Sequence, residues 1–119
     1  MSPKLAAVLL TLAASSLGGA AQAHAYLESA APAVDGMSAP PAEIRITFSE
    51  EIVTKFSGLT LKNGAGKKVA VGKPKAGADK SVLIVPVKAK LAPGPYDVEW
   101  FCVSADTHRM KGHYRFTVR

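Results

Sequence analysis

Apolar and polar residues alternate with a period of two through most of the chain. Beyond the amino-terminal segment, no stretch carries the 3.6-residue period of an amphipathic helix. In Glu43-Ile44-Arg45-Ile46-Thr47-Phe48, Ile44, Ile46 and Phe48 turn to a core while Glu43, Arg45 and Thr47 turn to water. The closing segment Tyr114-Arg115-Phe116-Thr117-Val118-Arg119 repeats the pattern, which predicts a half-buried antiparallel strand. Gly58–Lys62 and Lys68–Val71 flank Asn63-Gly64-Ala65-Gly66, residues that take positive φ cheaply, and together they predict a hairpin. Val82-Leu83-Ile84-Val85 is continuously apolar, as a strand covered on both faces is, and Pro86 marks its exit. Leu91-Ala92-Pro93-Gly94-Pro95-Tyr96, leading into a strand, has the layout of a tyrosine corner. Turn signals recur roughly every ten residues, so six or seven short strands predict an all-β sandwich or small barrel. Ser29 to Pro41, rich in Pro and Ala, reads as a loose connection.

The chain opens differently. Met1-Ser2-Pro3-Lys4 carries one positive charge and precedes an apolar run from Leu5 to Ala14. About ten apolar residues fall short of the roughly 20 that span a bilayer, and Ala21-Gln22-Ala23 supplies a small-x-small cleavage pattern. This predicts a signal peptide over residues 1–23 and one exported domain over residues 24–119, outside the cytoplasm.

Export changes what composition means. The formal net charge is +6, and it falls to +5 without Lys4. The lysines from Lys62 to Lys90 carry no interleaved aromatics, so they predict a solvated basic surface rather than a nucleic-acid interface. An acidic partner or an anionic membrane surface stays open. The single cysteine, Cys102, excludes an intramolecular disulfide. It shares one strand face with Tyr96, Val98 and Trp100, which predicts a buried, inert thiol.

The candidate chemistry begins at the predicted cleavage point. An amino-terminal His24 offers a metal both its α-amine and its ring Nδ1. An amine of pKa about 7.7 to 8 gives up its proton to copper(II) near neutral pH. Asp106 and His108, spaced i and i+2 after the Trp100 strand, aim the same way in extended chain. With His24 they make an N₃O donor set, whose tetragonal form favours copper(II) over zinc. Alone, Asp-x-His is more often what a solvated loop carries; the conjunction with His24 carries the reading. His113, on the face of Arg115 and Thr117, is expected in solvent. Glu50 and Glu51, adjacent in extended chain, point apart and make a poor acid/base pair. Ser104, Asp106 and His108 lie too close along one loop for a nucleophile relay.

Taken together, His24, Phe48-Ser49-Glu50 followed by Phe56-Ser57-Gly58, Pro93 to Trp100, Ser104 to His108 and the Gly112-to-Val118 strand resemble the CopC family and its YobA-type relatives. The resemblance covers essentially residues 24–119. It implies a seven-stranded Greek-key β-sandwich of immunoglobulin-like or cupredoxin-like topology, and a periplasmic copper(II) carrier without enzymatic activity. The site residues it implies are His24, Asp106 and His108, with Glu50 beside the metal as a weak ligand or as an acceptor that orients the amine. A CopD-type inner-membrane copper transporter is the implied partner, and a monomer the expected state. Some members carry a methionine-rich loop for copper(I). Asn63 to Lys75 here has neither methionine nor histidine, so no copper(I) site is expected. The rival reading is a copper-dependent oxidative enzyme of the lytic polysaccharide monooxygenase type, which also places copper on an amino-terminal histidine in a β-sandwich. It needs an open coordination position and a broad substrate surface, for which an in-plane aspartate and so small a domain leave little room.

Overall fold

The structure is a computed structural model that describes residues 25–119, so the signal-peptide expectation and His24 lie outside the described residues. Nine strands form two sheets. The first sheet orders β1 (Leu27–Ala31), β3 (Glu43–Phe48), β7 (Val82–Pro86) and β6 (Lys75–Ala76) side by side. The second orders β2 (Met37–Ser38), β9 (Arg109–Val118), β8 (Gly94–Val103), β4 (Gly58–Asn63) and β5 (Lys68–Val69). A single 3₁₀ turn, Thr54–Phe56, is the one helical element among the described residues. The architecture is the all-β sandwich that the alternating pattern predicts.

The inward residues are those the period of two selects. Ile44, Ile46 and Phe48 of β3 are buried against Leu83 and Val85 of β7, and against Tyr96, Val98, Trp100 and Cys102 of β8. Burying each large apolar side chain contributes about 1.5–3 kcal/mol, which suits a domain without a disulfide. Phe48 meets Trp100 edge-to-face at 5.2 Å, and Tyr96 stacks on Phe116 at 5.6 Å. The Tyr96 hydroxyl donates to the Ala92 carbonyl at 2.7 Å, completing the expected tyrosine corner. Asn63 closes the β4–β5 hairpin, its Oδ1 accepting from the amides of Ala65 and Lys67. Tyr114 contributes its ring to the core, but its buried hydroxyl has no hydrogen-bond partner among the described residues.

Six strands, β1, β3, β4, β7, β8 and β9, are five residues or longer, and the other three, β2, β5 and β6, are two-residue pairings, each on an outer sheet edge. Prolines and glycines around them (Pro40, Gly66, Pro74, Gly77) stop such strands before any alternation can develop. The Ser29-to-Pro41 stretch is less loose than its composition suggests. Ser29 to Ala31 pairs with β3, and Met37–Ser38 pairs in parallel with the end of β9. Both pairings are made by the backbone and need no apolar period.

Candidate metal centre

The β8–β9 hairpin carries the candidate loop at its tip. β8 and β9 pair in continuous antiparallel register from Gly94↔Val118 to Val103↔Arg109, so Ser104 to His108 is the connection between two ten-residue strands. Near the centre of the hairpin Gly112 lies directly under Trp100. A Cβ at position 112 would stand 2.5 Å from the indole ring, which is itself held against Phe48.

Within the loop the backbone is not extended, contrary to the reasoning that placed both side chains on one strand face. Ser104 N–H donates to the His108 carbonyl at 2.9 Å, and Thr107 N–H donates to the Ser104 carbonyl at 2.8 Å. Thr107 takes φ 73°, a left-handed conformation that costs an ordinary side chain on the order of 1 kcal/mol. The tight turn still brings the two side chains together. An Asp106 carboxylate oxygen lies 3.1 Å from His108 Nδ1, and both side chains stay open to solvent, 39% and 56% exposed.

Ser104 organises this pair, a role the sequence did not disclose. Its side chain is fully buried, and its hydroxyl donates to the other Asp106 oxygen. That bond, followed by the contact with His108, holds the Asp106 carboxyl at about 2, below the ordinary 3.8. The loop therefore presents an ionised carboxylate and an imidazole a hydrogen bond apart, one hard oxygen and one nitrogen donor. Among the described residues no group of three or more His, Cys, Asp or Glu side chains converges, so this pair offers two candidate donors.

One short segment joins the loop to the start of the described chain. Following β3, Ser49 binds Tyr26 twice: the Ser49 amide donates to the Tyr26 carbonyl at 2.8 Å, and its Oγ accepts from the Tyr26 amide at 3.0 Å. Two residues later the Glu51 carbonyl accepts from the Ala105 amide at 3.0 Å, and Ile52 bridges to Ser104. Glu50 sits between these attachments, half-buried. Ala25, bonded to His24, is fully buried in the core. Ser57 reinforces the same end of the sandwich, donating to the Val53 carbonyl and accepting from the Val103 amide.

The remaining candidates fall where the sequence places them. His113 is exposed and pairs across the hairpin with Glu99. Cys102 is 1% exposed, and burial pushes its thiol up to about 11, which makes it inert near neutral pH.

Residues 27–119 match the family model described as the CopC domain. Copper resistance protein C of Escherichia coli is 41% identical over 107 residues, covering 83% of this chain and 84% of that protein. Protein YobA of Escherichia coli strain K12 is 38% identical over 99 residues, covering 82% and 80%. The crystal structure of PcoC, a methionine-rich copper resistance protein from Escherichia coli, superposes with TM-score 0.75 at 37% identity, covering 82% of this chain and all of that one. CopC from Methylosinus trichosporium OB3b superposes with TM-score 0.72 at 28% identity, over 80% and 93%. A match that runs from the first strand to the last residue, in sequence and in fold alike, makes this chain a member of the CopC family.

Proposed function

We propose that this chain is exported, loses residues 1–23, and binds copper(II) in the periplasm through residues 24–119 in order to sequester or deliver it. Relatives named for copper resistance and copper transport support copper as the cargo. In this reading His24 supplies its α-amine and ring Nδ1, Asp106 an oxygen and His108 a nitrogen, while Glu50 orients the amine or ligates weakly. No reaction is assigned, and the domain works as a monomer. The observation that carries the reading is the Asp106–His108 pair, held by buried Ser104 on a loop tied to the same four-residue segment that pins Tyr26. That segment brings the start of the described chain and the loop to one end of the sandwich.

The N₃O set is chemically suited to copper(II), which takes nitrogen and oxygen donors in tetragonal geometry. Copper(I) prefers thioethers, and Met37 and Met110 are isolated methionines, the first exposed and the second packed on the core. No copper(I) site is proposed. No helix of the described residues is long and apolar enough to cross a membrane. Copper transport protein CutJ of Bacillus subtilis is 30% identical to this chain over only 18% of its own length. A region similar to this chain is thus part of a longer copper transport protein there, which supports a copper transporter as the partner, of the CopD type in this reading.

The test is a competition titration with copper(II) on protein beginning at His24, beside the same protein with one extra residue in front. Tight one-to-one binding that collapses on extension is expected. Equal affinity in the two proteins would remove the amine from the site and this reading with it.

A further inference from the structure

Beside the candidate loop lies a groove that the metal chemistry does not use. It has a volume of about 900 Å³, and Thr107 of the loop forms part of its wall. Phe56 and Phe101, 58% and 48% exposed, supply its apolar surface. Exposed aromatics on a small domain are costly to keep in water, and here two from distant parts of the chain share one concavity. Phe101 lies over Gly58, where a Cβ would stand 3.0 Å from the ring, so the close fit of ring to glycine preforms the wall.

The rim has one sign of charge. Lys55, Arg109 and Lys111 line the groove, and no carboxylate does. Elsewhere Arg45 pairs with Glu43, Lys62 with Glu99 and Arg115 with Asp97. Among the described residues, Lys55, Arg109 and Lys111 have no acidic partner. Lys55 instead places its ammonium 5.5 Å from the Phe56 ring centroid. Three unneutralised cations around an aromatic hollow form a positive field with an apolar floor, complementary to a negative chain with one apolar anchor.

We propose that this groove docks an acidic segment of a second protein, with a large apolar side chain seated between Phe56 and Phe101 and carboxylates on Lys55, Arg109 and Lys111. The concavity favours an inserted side chain over a lipid surface, which is engaged by protruding aromatics rather than by a hollow. Because Arg109 follows His108 directly and Thr107 precedes it, a docked segment lies alongside the candidate metal loop. The link from docking to copper handover rests on the copper reading above; the docking itself does not.

The probe is a synthetic peptide of glutamates flanking a single Leu-Phe pair, added to ¹⁵N-labelled protein beginning at His24. Amide shifts confined to Lys55–Gly58, Phe101–Val103 and Arg109–Lys111 are expected, weakening as salt is added. The exposed-site variant Lys55→Glu/Lys111→Glu should bind the peptide about tenfold or more weakly, and Phe56→Ser should remove the shifts at the aromatic wall. A copper(II) titration on the same variants separates the two ideas, since neither Lys55, Lys111 nor Phe56 is a candidate ligand. Peptide binding with no copper binding would overturn the copper reading and leave the groove standing. Absence of peptide shifts, equal binding by the charge-reversed variant, or a response to phosphatidylglycerol vesicles in place of the peptide would each overturn the docking inference.

Discussion

Replacing Ser104 by Ala tests how the loop prepares Asp106. The hydroxyl is fully buried, and its removal leaves the backbone of the turn in place, since the Ser104 N–H to His108 carbonyl bond needs no side chain. The variant loses one hydrogen bond to a charged acceptor, a contribution of about 1–2 kcal/mol where Ser104 itself is buried. For a domain of this size that is a fall in Tm on the order of 5–10 °C. The Asp106 carboxyl, held at about 2 chiefly by this hydroxyl, should rise toward 3.8. The sign follows from linkage. A carboxyl depressed in the folded state stabilises that state above its unfolded value, and the stabilisation is lost as pH falls from about 3.8 through about 2. At pH 7 Asp106 is ionised in both proteins, so any loss of copper(II) affinity there comes from lost orientation. Partners that orient metal ligands typically contribute 10- to 100-fold in affinity, and that is the loss expected at pH 7. The assays are competition titration with copper(II) at pH 7 and a ¹³C NMR titration of the Asp106 carboxyl between pH 1.5 and 6. Unchanged affinity together with an unmoved carboxyl titration would show that Ser104 only fills space.

Other substitutions separate fold from site. Gly112→Ala places a methyl against the Trp100 ring and should destabilise the domain by about 1–3 kcal/mol. Because Trp100 is the single tryptophan, its fluorescence reports the displacement directly, and a native-like spectrum with native stability would contradict the packing described. Tyr96→Phe and Tyr114→Phe remove hydroxyls of opposite standing. The first loses its bond to Ala92 and should cost about 1 kcal/mol in urea unfolding, whereas the second removes an unpaired buried hydroxyl and should leave stability equal or higher. A loss on Tyr114→Phe equal to that on Tyr96→Phe would mean the Tyr114 hydroxyl is bonded after all. Asp106→Asn keeps the shape of the loop while removing its charge, and copper(II) affinity should fall at least tenfold at pH 7 with the amide NMR spectrum otherwise preserved. Cys102 should react with a thiol reagent only upon unfolding, so its labelling rate in the native protein should follow the unfolding equilibrium.

How much of this was legible depends on whether a residue's role is periodic. β3, β8 and β9 announce themselves because one face of each is buried, and a period of two is the direct imprint of that burial. β2 and β6 do not, since a two-residue pairing next to proline or glycine leaves no imprint. Asp106 and His108 were legible as residue types, but the geometry that joins them was not. An extended i, i+2 spacing was the expected reason, whereas a turn with Thr107 at positive φ brings the side chains together. Ser104 was weighed only as a nucleophile and set aside, because nothing in a sequence marks which serine is buried under a carboxylate. The groove was invisible for a different reason: Lys55 and Phe56 meet Phe101, Arg109 and Lys111 only after the β4–β8 and β8–β9 pairings fold the chain over.

Phe48-Ser49-Glu50 leads from the core into the segment that ties the start of the described chain to the loop of the last hairpin. Phe48 ends β3 in the core, against Trp100. The chain then leaves the sheet, and its next residues spend their backbone polar groups on two partners far away in sequence, Tyr26 on one side and the Ser104–Ala105 turn on the other. Backbone groups at the end of a strand must be satisfied by something, and satisfying them across these two segments ties the first residues of the domain to the tip of its last hairpin. A donor set split between a chain terminus and a hairpin loop would otherwise have to order both on binding, at an entropic cost of about 1–2 kcal/mol per residue fixed. With Tyr26 and Ala105 already anchored to one segment, most of that ordering is done by folding. In the proposed copper site, that would leave the ion to fix little more than its ligand side chains.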